Sequence, residues 1–116
     1  MIAHIVLFQP KQNLSLDDKR ALLRAFRSAL AAVPAVQRVR IGRSTSVGAA
    51  YESSTSKYGY AAVIEFAGVP ELQGYLRHPA HQELGRMFFE ACAATTIVDV
   101  ELIEGLDAAV ERLLEE

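Results

Sequence analysis

Apolar and polar positions follow two different periods along this chain, and the changes of period mark its elements. The opening Ile2-Ala3-His4-Ile5-Val6-Leu7-Phe8 is a continuous apolar run with β-branched residues, closed by Gln9-Pro10. Such a run predicts a strand buried on both faces. Side chains alternate along a strand, so Ile2, His4, Val6 and Phe8 share one face and Ala3, Ile5 and Leu7 share the other. Ser15, with Asp17 and Asp18 behind it, predicts a helix start: a hydroxyl to cap the first turn and carboxylates at its positive end. From there to about Ala32, Leu22, Leu23, Phe26, Ala29, Leu30 and Val33 form one apolar stripe, with Arg20, Arg24 and Arg27 turned to water. Pro34 stops that helix.

Val36 to Arg43 carries Val39 and Ile41 among arginines and predicts a second, more exposed strand. Arg38, Arg40 and Arg43 guard its edge against unwanted pairing. Residues 44–58 are rich in Ser, Thr and Gly and read as a mobile loop. Gly59 to Phe66 is a third strand. Gly68-Val69-Pro70 interrupts the chain and opens a short helix to about Arg77. His78-Pro79 opens a longer one to about Ala93, with proline at a first helical position, where its missing N–H is no loss. Thr96 to Glu104 sets Val98, Val100 and Leu102 against Asp99 and Glu101, a final strand. After Gly105, apolar residues at 106, 109, 110, 113 and 114 are spaced as one helix face. A tail this short does not hold itself helical in water, so it must dock, on its own sheet or on a second copy.

Strand, helix, strand, strand, helix, strand is the order of the split βαβ, or ferredoxin-like, plan. The expected fold is α+β, a four-stranded antiparallel sheet with helices on one face. Residues 1–104 make the domain and 105–116 its amphipathic helical tail. Two helices cover one face only, whereas the first and third strands are apolar on both. A bare face bearing Ile5, Leu7 and Val63 is a patch that soluble monomers rarely carry. A second copy applying the same face is the simplest cover, so the expected partner is another copy of the chain, a homodimer through sheet-to-sheet packing.

Composition narrows the function classes. The chain has 116 residues, 51% of them hydrophobic, enough for one folded domain. Twelve basic residues against fourteen acidic ones leave a net charge of −2, no basis for attracting nucleic acid or an anionic membrane surface. No apolar run is long enough to span a bilayer, and the N-terminus lacks the plan of a signal peptide. The single cysteine, Cys92, cannot form an internal disulfide, which points to the cytoplasm.

Three histidines are the most informative polar residues. His4 lies mid-strand on the face with Val6 and Phe8. His81 lies on the helical stripe His81, Leu84, Gly85, Phe88, Cys92. If the helices cover the His4 face, both imidazoles enter the same space, with Tyr75 and His78 at its mouth. Burial keeps an imidazole neutral and basic near pH 7, and a neighbouring hydroxyl or imidazole fixes its tautomer. A base and a donor deep in an apolar pocket suit proton abstraction next to a carbonyl, or an aldol ring closure. A buried histidine bonded to a carbonyl is also an ordinary core element, and a tyrosine on an apolar stripe is ordinary packing. His78-x-x-His81 with His4 has the residue types of a zinc site, but the intervening proline and the outlook of His78 disfavour it, and no metal site is expected. The serines at 44, 46, 53, 54 and 56 sit in no nucleophile elbow. No glycine-rich loop is built for phosphate or dinucleotide, and no cofactor is expected. Cys92 reads as apolar filler and Glu65 as a strand-end ion-pair partner.

The strand His4-Ile5-Val6-Leu7-Phe8 and the stretch Tyr75-Leu76-Arg77-His78-Pro79-Ala80-His81 resemble the two hallmark motifs of the stress-responsive A/B barrel domain (Dabb) family. The resemblance extends over roughly residues 1–104. It implies a dimeric α/β barrel. By resemblance to a plant polyketide cyclase of that family, it also implies a pocket in which His81 is the base of an aldol closure, with Tyr75 and His4 beside it. These three are the expected catalytic residues. His78, Phe26, Val6, Phe8, Leu84 and Phe88 are the expected substrate contacts. Phe26 stands where that cyclase carries a tyrosine, and it cannot donate a hydrogen bond. The ligand expected is a carbonyl-bearing aromatic or polyketide-like compound. A non-enzymatic stress or assembly protein with structural histidines, and a monooxygenase working without cofactor, are the alternatives.

Overall fold

Four strands, β1 (Ile2–Pro10), β2 (Val36–Arg43), β3 (Tyr60–Phe66) and β4 (Cys92–Glu101), form one antiparallel sheet in the order β2-β3-β1-β4. The structure, a computed structural model, describes residues 1–55 and 57–115. Ser56 of the serine-rich loop and Glu116 of the tail lie outside the described residues. The apolar run at the N-terminus takes a central position, paired with β3 on one side and β4 on the other. That place pairs both edges of β1, whereas its two faces fare differently: Ile2 and His4 are buried, and Ile5 and Leu7 are only half-buried.

Helices α1 (Leu16–Ala32), α3 (Val69–Arg77) and α4 (Pro79–Ala91) cover one face. The Asp18 N–H donates to Ser15 Oγ at 3.0 Å, the predicted cap, and α1 ends at Val33 before Pro34. The core between helices and sheet gathers Ile2, Ile64 and Phe66 from the strands with Ala29, Val33, Leu72, Tyr75 and Leu84 from the helical side. The strand register sets which residues face the helices. His4 lies opposite Ile64 and Asp99, and Val6 opposite Ala62 and Ile97. The other face carries Ala3, Ile5, Leu7, Val63, Val98 and Val100 with no helix over it. Glu65 is the carboxylate of that face. It is nearly buried, 3.3 Å from Arg40 and 4.0 Å from Arg38, the expected ion pair.

Two expectations are corrected and a third, which left two docking sites open, is narrowed. The last strand runs from Cys92 to Glu101, not from Thr96 to Glu104. It starts earlier because β1 extends to Pro10, giving Cys92 and Ala94 partners, and it stops where β1 starts, at the pair Ile2 and Glu101. Cys92 therefore caps α4 and begins the strand instead of continuing the helical stripe. Residues 44–58 are not irregular throughout. A short helix α2 (Glu52–Thr55) forms there, and its Glu52 carboxylate accepts from the Val47 and Gly48 N–H groups and from Ser46 Oγ. The tail is helical as expected, α5 (Leu106–Leu114), but it does not dock on its own sheet: Leu106, Leu113 and Leu114 stay exposed. An ion pair of Arg112 with Glu101 at 3.9 Å ties it to the end of β4. Among the described residues no helix is long and apolar enough to cross a membrane.

Candidate functional site

β1, α3 and α4 bring His4, Tyr75 and His81 together. Tyr75 stands between the imidazoles, its ring centroid 6.1 Å from that of His4 and 4.5 Å from that of His81. On its remaining side it packs on Phe66 at 5.2 Å. Tyr75 is 1% exposed and His4 3%. His4 is far in sequence from Tyr75 and His81, and the β1–β3 pairing together with α3 and α4 lying over the sheet is what joins them.

Each polar group has a definable state. His4 Nδ1 lies 2.6 Å from Asp99 Oδ1, its direct opposite in the register. The carboxylate can only accept, so Nδ1 carries a proton and Nε2 is left to act within the site. The Asp99 side chain is 46% exposed and stays partly hydrated. Burial drives the His81 pKa below the ordinary histidine value, and the neighbouring His4 pushes the same way. A hydrogen bond to the Leu76 backbone opposes both and holds one ring nitrogen as donor. The other nitrogen keeps its lone pair. Burial pushes the Tyr75 hydroxyl up to about 12, so it remains a neutral donor across the working range.

A cavity of about 150 Å³ opens on these groups. Its buried end is made by His4, Ile64, Tyr75 and Leu84. Its mouth lies between α4, with Gly85 and Phe89, and β4, with Thr95 and Ile97. Of the expected contacts, Val6, Phe26, Leu84 and Phe88 line the wall. Phe8 is not in the wall. It stands behind it, edge-on to Phe88 at 4.8 Å and stacked on Tyr60 at 5.5 Å. His78 is not in the wall either, because it caps α4: its Nδ1 accepts from the Ala80 N–H at 3.1 Å. Asp99 was missed. Its alternation with Val98 and Val100 reads as a solvent position, and only the β1–β4 register places it on the His4 face. Ala62, Gly85, Phe89, Thr95 and Ile97 were not anticipated either. The Cys92 thiol is pushed up by burial, against smaller opposing effects of Thr95 and Lys11, and is no ready nucleophile. Among the described residues no group of three or more His, Cys, Asp or Glu side chains is placed to hold a metal ion.

A lone-pair nitrogen, a neutral phenol and a carboxylate-held imidazole on an apolar wall can accept a proton from carbon and hydrogen-bond an oxygen at the same time. Comparison with known proteins bears on the fold around this site. The family model described as Stress responsive A/B Barrel Domain, Dabb, matches residues 2–102. No curated protein matches the chain. Among solved structures, a hydroxynitrile lyase from Passiflora edulis is similar at 20% identity and TM-score 0.75, covering 90% of this chain and 95% of that one. A dimeric ferredoxin-like protein of unknown function from Jannaschia sp. CCS1 is similar at 22% identity and TM-score 0.71, with 87% and 98% covered. A cofactor-independent oxygenase from Streptomyces nogalater is similar at 10% identity and TM-score 0.66, with 90% and 95% covered. At these identities the likeness is one of fold.

Proposed function

Taking as premise that the chain belongs to the stress-responsive A/B barrel domain (Dabb) family, we propose that it is a cytoplasmic homodimer whose cavity binds a small carbonyl-bearing aromatic compound and moves a proton next to the carbonyl. The observation that carries this reading is the meeting of two imidazoles and one phenol in the wall of an apolar cavity. In the step proposed, the free His81 nitrogen takes a proton from the carbon beside the carbonyl. The electron pair of that C–H bond forms the enolate double bond, and the developing oxyanion receives a hydrogen bond from the Tyr75 hydroxyl, with the His4 ring packed beside that phenol. Asp99 holds the His4 ring in place. Ring closure by aldol attack would start from the same enolate.

Size limits the ligand. A cavity of about 150 Å³ accommodates about one benzene ring, so a single-ring head fits and a longer polyketide would have to extend through the mouth. The fold by itself does not choose the reaction, since a lyase and an oxygenase are both built on it. The bare sheet face with Ile5, Leu7, Val63 and Val98 supports the dimer, as does the dimeric description of the Jannaschia relative.

Acetophenone in D2O tests the base directly, because its methyl protons exchange only through the enolate and NMR follows them. The wild type is expected to accelerate exchange over buffer, and His81→Ala to lose about 100-fold or more of that acceleration while remaining folded. The rate should rise with pH and level off, with a midpoint below 6.5, because His81 is held below that value and acts only as the neutral imidazole. Acetophenone that binds the wild type yet exchanges no faster than with His81→Ala would overturn the base and leave a binding protein. Absence of binding would overturn the pocket as well.

A further inference from the structure

The tail and the body of this chain carry opposite charge. Residues 101–116 hold six carboxylates against one arginine, whereas residues 1–100 hold eleven basic groups against eight acidic ones. In α5, Asp107 and Glu111 lie one turn apart, beside the apolar stripe of Leu106, Val110, Leu113 and Leu114. That helix buries no residue of its own, and its nine residues do not hold a helix in water unaided. The radius of gyration is 16.0 Å, against about 13 Å for a compact chain of this length, which is what an arm standing off the body produces.

The complement lies at the far edge of the sheet. Arg38 and Arg40 of β2 stand exposed on the bare face and share one carboxylate, Glu65. Their spacing along the strand is about 6.6 Å, and that of Asp107 and Glu111 along the helix about 6 Å. Within one chain the two pairs belong to opposite edges, β2 and β4, about 14 Å apart. Between copies, symmetry brings them together. A two-fold axis parallel to the strands sets β2 of each copy against β4 of the other, whereas an axis across the strands stacks β2 on β2 and crowds four arginines. The register completes the match. Ile2 pairs with both Glu101 and Phe66, and Phe66 pairs with Val36, so β4 ends level with the start of β2. Rotation about the strand direction keeps that level. The Leu102 N–H donates to the Met1 carbonyl at 2.8 Å and fixes the exit of the tail there.

We propose that α5 is a strap between copies, docking along the edge strand β2 of a second copy of this chain. Asp107 and Glu111 meet Arg38 and Arg40 of the partner subunit, and the apolar stripe covers the open edge of that strand, where Ile41 is exposed. The inference rests on the homodimer reading above and goes beyond it, because it assigns the tail its place in the assembly.

Charge reversal followed by mixing tests this. In sedimentation equilibrium at about 50 mM salt, Asp107→Lys/Glu111→Lys should weaken the dimer about tenfold, and less at about 500 mM, where salt screens the contact. Arg38→Glu, which leaves Arg40 on Glu65, should weaken it about threefold. When the two variants are mixed in equal amounts, one of them isotope-labelled, each reversed group meets its opposite only across the dimer. Native mass spectrometry should then show the mixed dimer above the half that random exchange gives. Arg24→Glu, the same charge change on the water side of α1, should give no such excess with the tail variant. If the wild type sediments as one chain of 12.7 kDa, the dimer is absent and the inference falls with it. If it dimerises but tail reversal changes nothing, or the mixture stays at one half, the strap fails while the dimer stands. An equal excess with Arg24→Glu traces the attraction to net charge and overturns the contact in the same way.

Discussion

Replacing Tyr75 by phenylalanine isolates one buried hydroxyl, and its effect can be worked out before measurement. Burial raises that hydroxyl from 10.0 to about 12. Below pH 10 the phenol is neutral in the folded and unfolded chains alike, and its ionisation does not affect folding. Above pH 10 the unfolded chain loses the proton while the folded chain still holds it, so stability falls with rising pH until the folded group ionises too. The difference of two units amounts to roughly 2.7 kcal/mol in full, of which roughly 1.4 kcal/mol is spent by pH 11. Urea unfolding at pH 9, 10 and 11 should therefore show the wild type losing about 1.3 kcal/mol more than Tyr75→Phe, a relative midpoint shift of about 0.5–1 M. The other alkaline effects are common to both proteins and cancel in the comparison. Parallel pH profiles would refute the reasoning. They would mean that the hydroxyl is hydrated, and a hydrated phenol at the end of the cavity would not be the dry donor that the proposed oxyanion contact needs.

Asp99→Asn keeps the shape at His4 Nδ1 but replaces a carboxylate acceptor with a neutral one. With Asp99 half in water, the melting temperature should drop by about 5 °C, equivalent to about 1 kcal/mol. Acetophenone exchange should slow further than that stability change explains, and an unchanged rate would remove Asp99 from the site. Val63→Glu places a charge in the middle of the bare sheet face. Light scattering should then report a particle of about one chain mass, 12.7 kDa, in place of twice that, whereas a persistent dimer would move the interface elsewhere. Ser15→Ala removes the hydroxyl that accepts from Asp18 N–H and should lower the urea stability by about 1 kcal/mol with His81 chemistry unaffected.

The sheet and its helices were legible where one local signal was sufficient. Ile2 to Phe8 has no competing period, Ser15 and Pro34 bracket α1, and Pro79 marks the start of α4. The β4 boundary was not legible, because Ala91 to Thr96 contains alanines that suit a helix and threonines that suit a strand. The length of β1 decided it, through the pairs of Pro10 with Cys92 and Gln9 with Ala94. His4 and His81 were placed correctly because alternation and helical spacing each fix a face. His78 was misplaced because its spacing from His81 says nothing about capping, which needs a ring nitrogen over the Ala80 N–H. Asp99 was missed for a deeper reason: a polar residue at an alternating position reads as facing water, and here it faces both water and a histidine.

That double outlook follows from how far the helices reach. On the helix side, Ala62, Ile64 and Phe66 of β3 and His4 of β1 are buried, yet Ile41 of β2 and Thr95 and Ile97 of β4 are exposed. The helices cover the two central strands and leave both edge strands overhanging. On the β4 side the overhang opens the slot that becomes the cavity mouth. It also leaves Asp99 at the margin, where the carboxylate remains hydrated while its partner imidazole is buried. An ionised carboxylate fully buried beside His4 would carry a desolvation penalty of several kcal/mol, whereas at the margin it orients His4 without most of that penalty. His81 lies on α4 and is half-buried; burial, helped by the neighbouring His4 and opposed by the hydrogen bond to the Leu76 backbone, lowers its pKa. Two histidines in one cavity are thus distinguished by their partners, a carboxylate for His4 and the Leu76 backbone for His81. A charge change at Asp99 should therefore act first on the hydrogen bonding of His4 and reach the acid limb set by His81 only through that neighbouring imidazole.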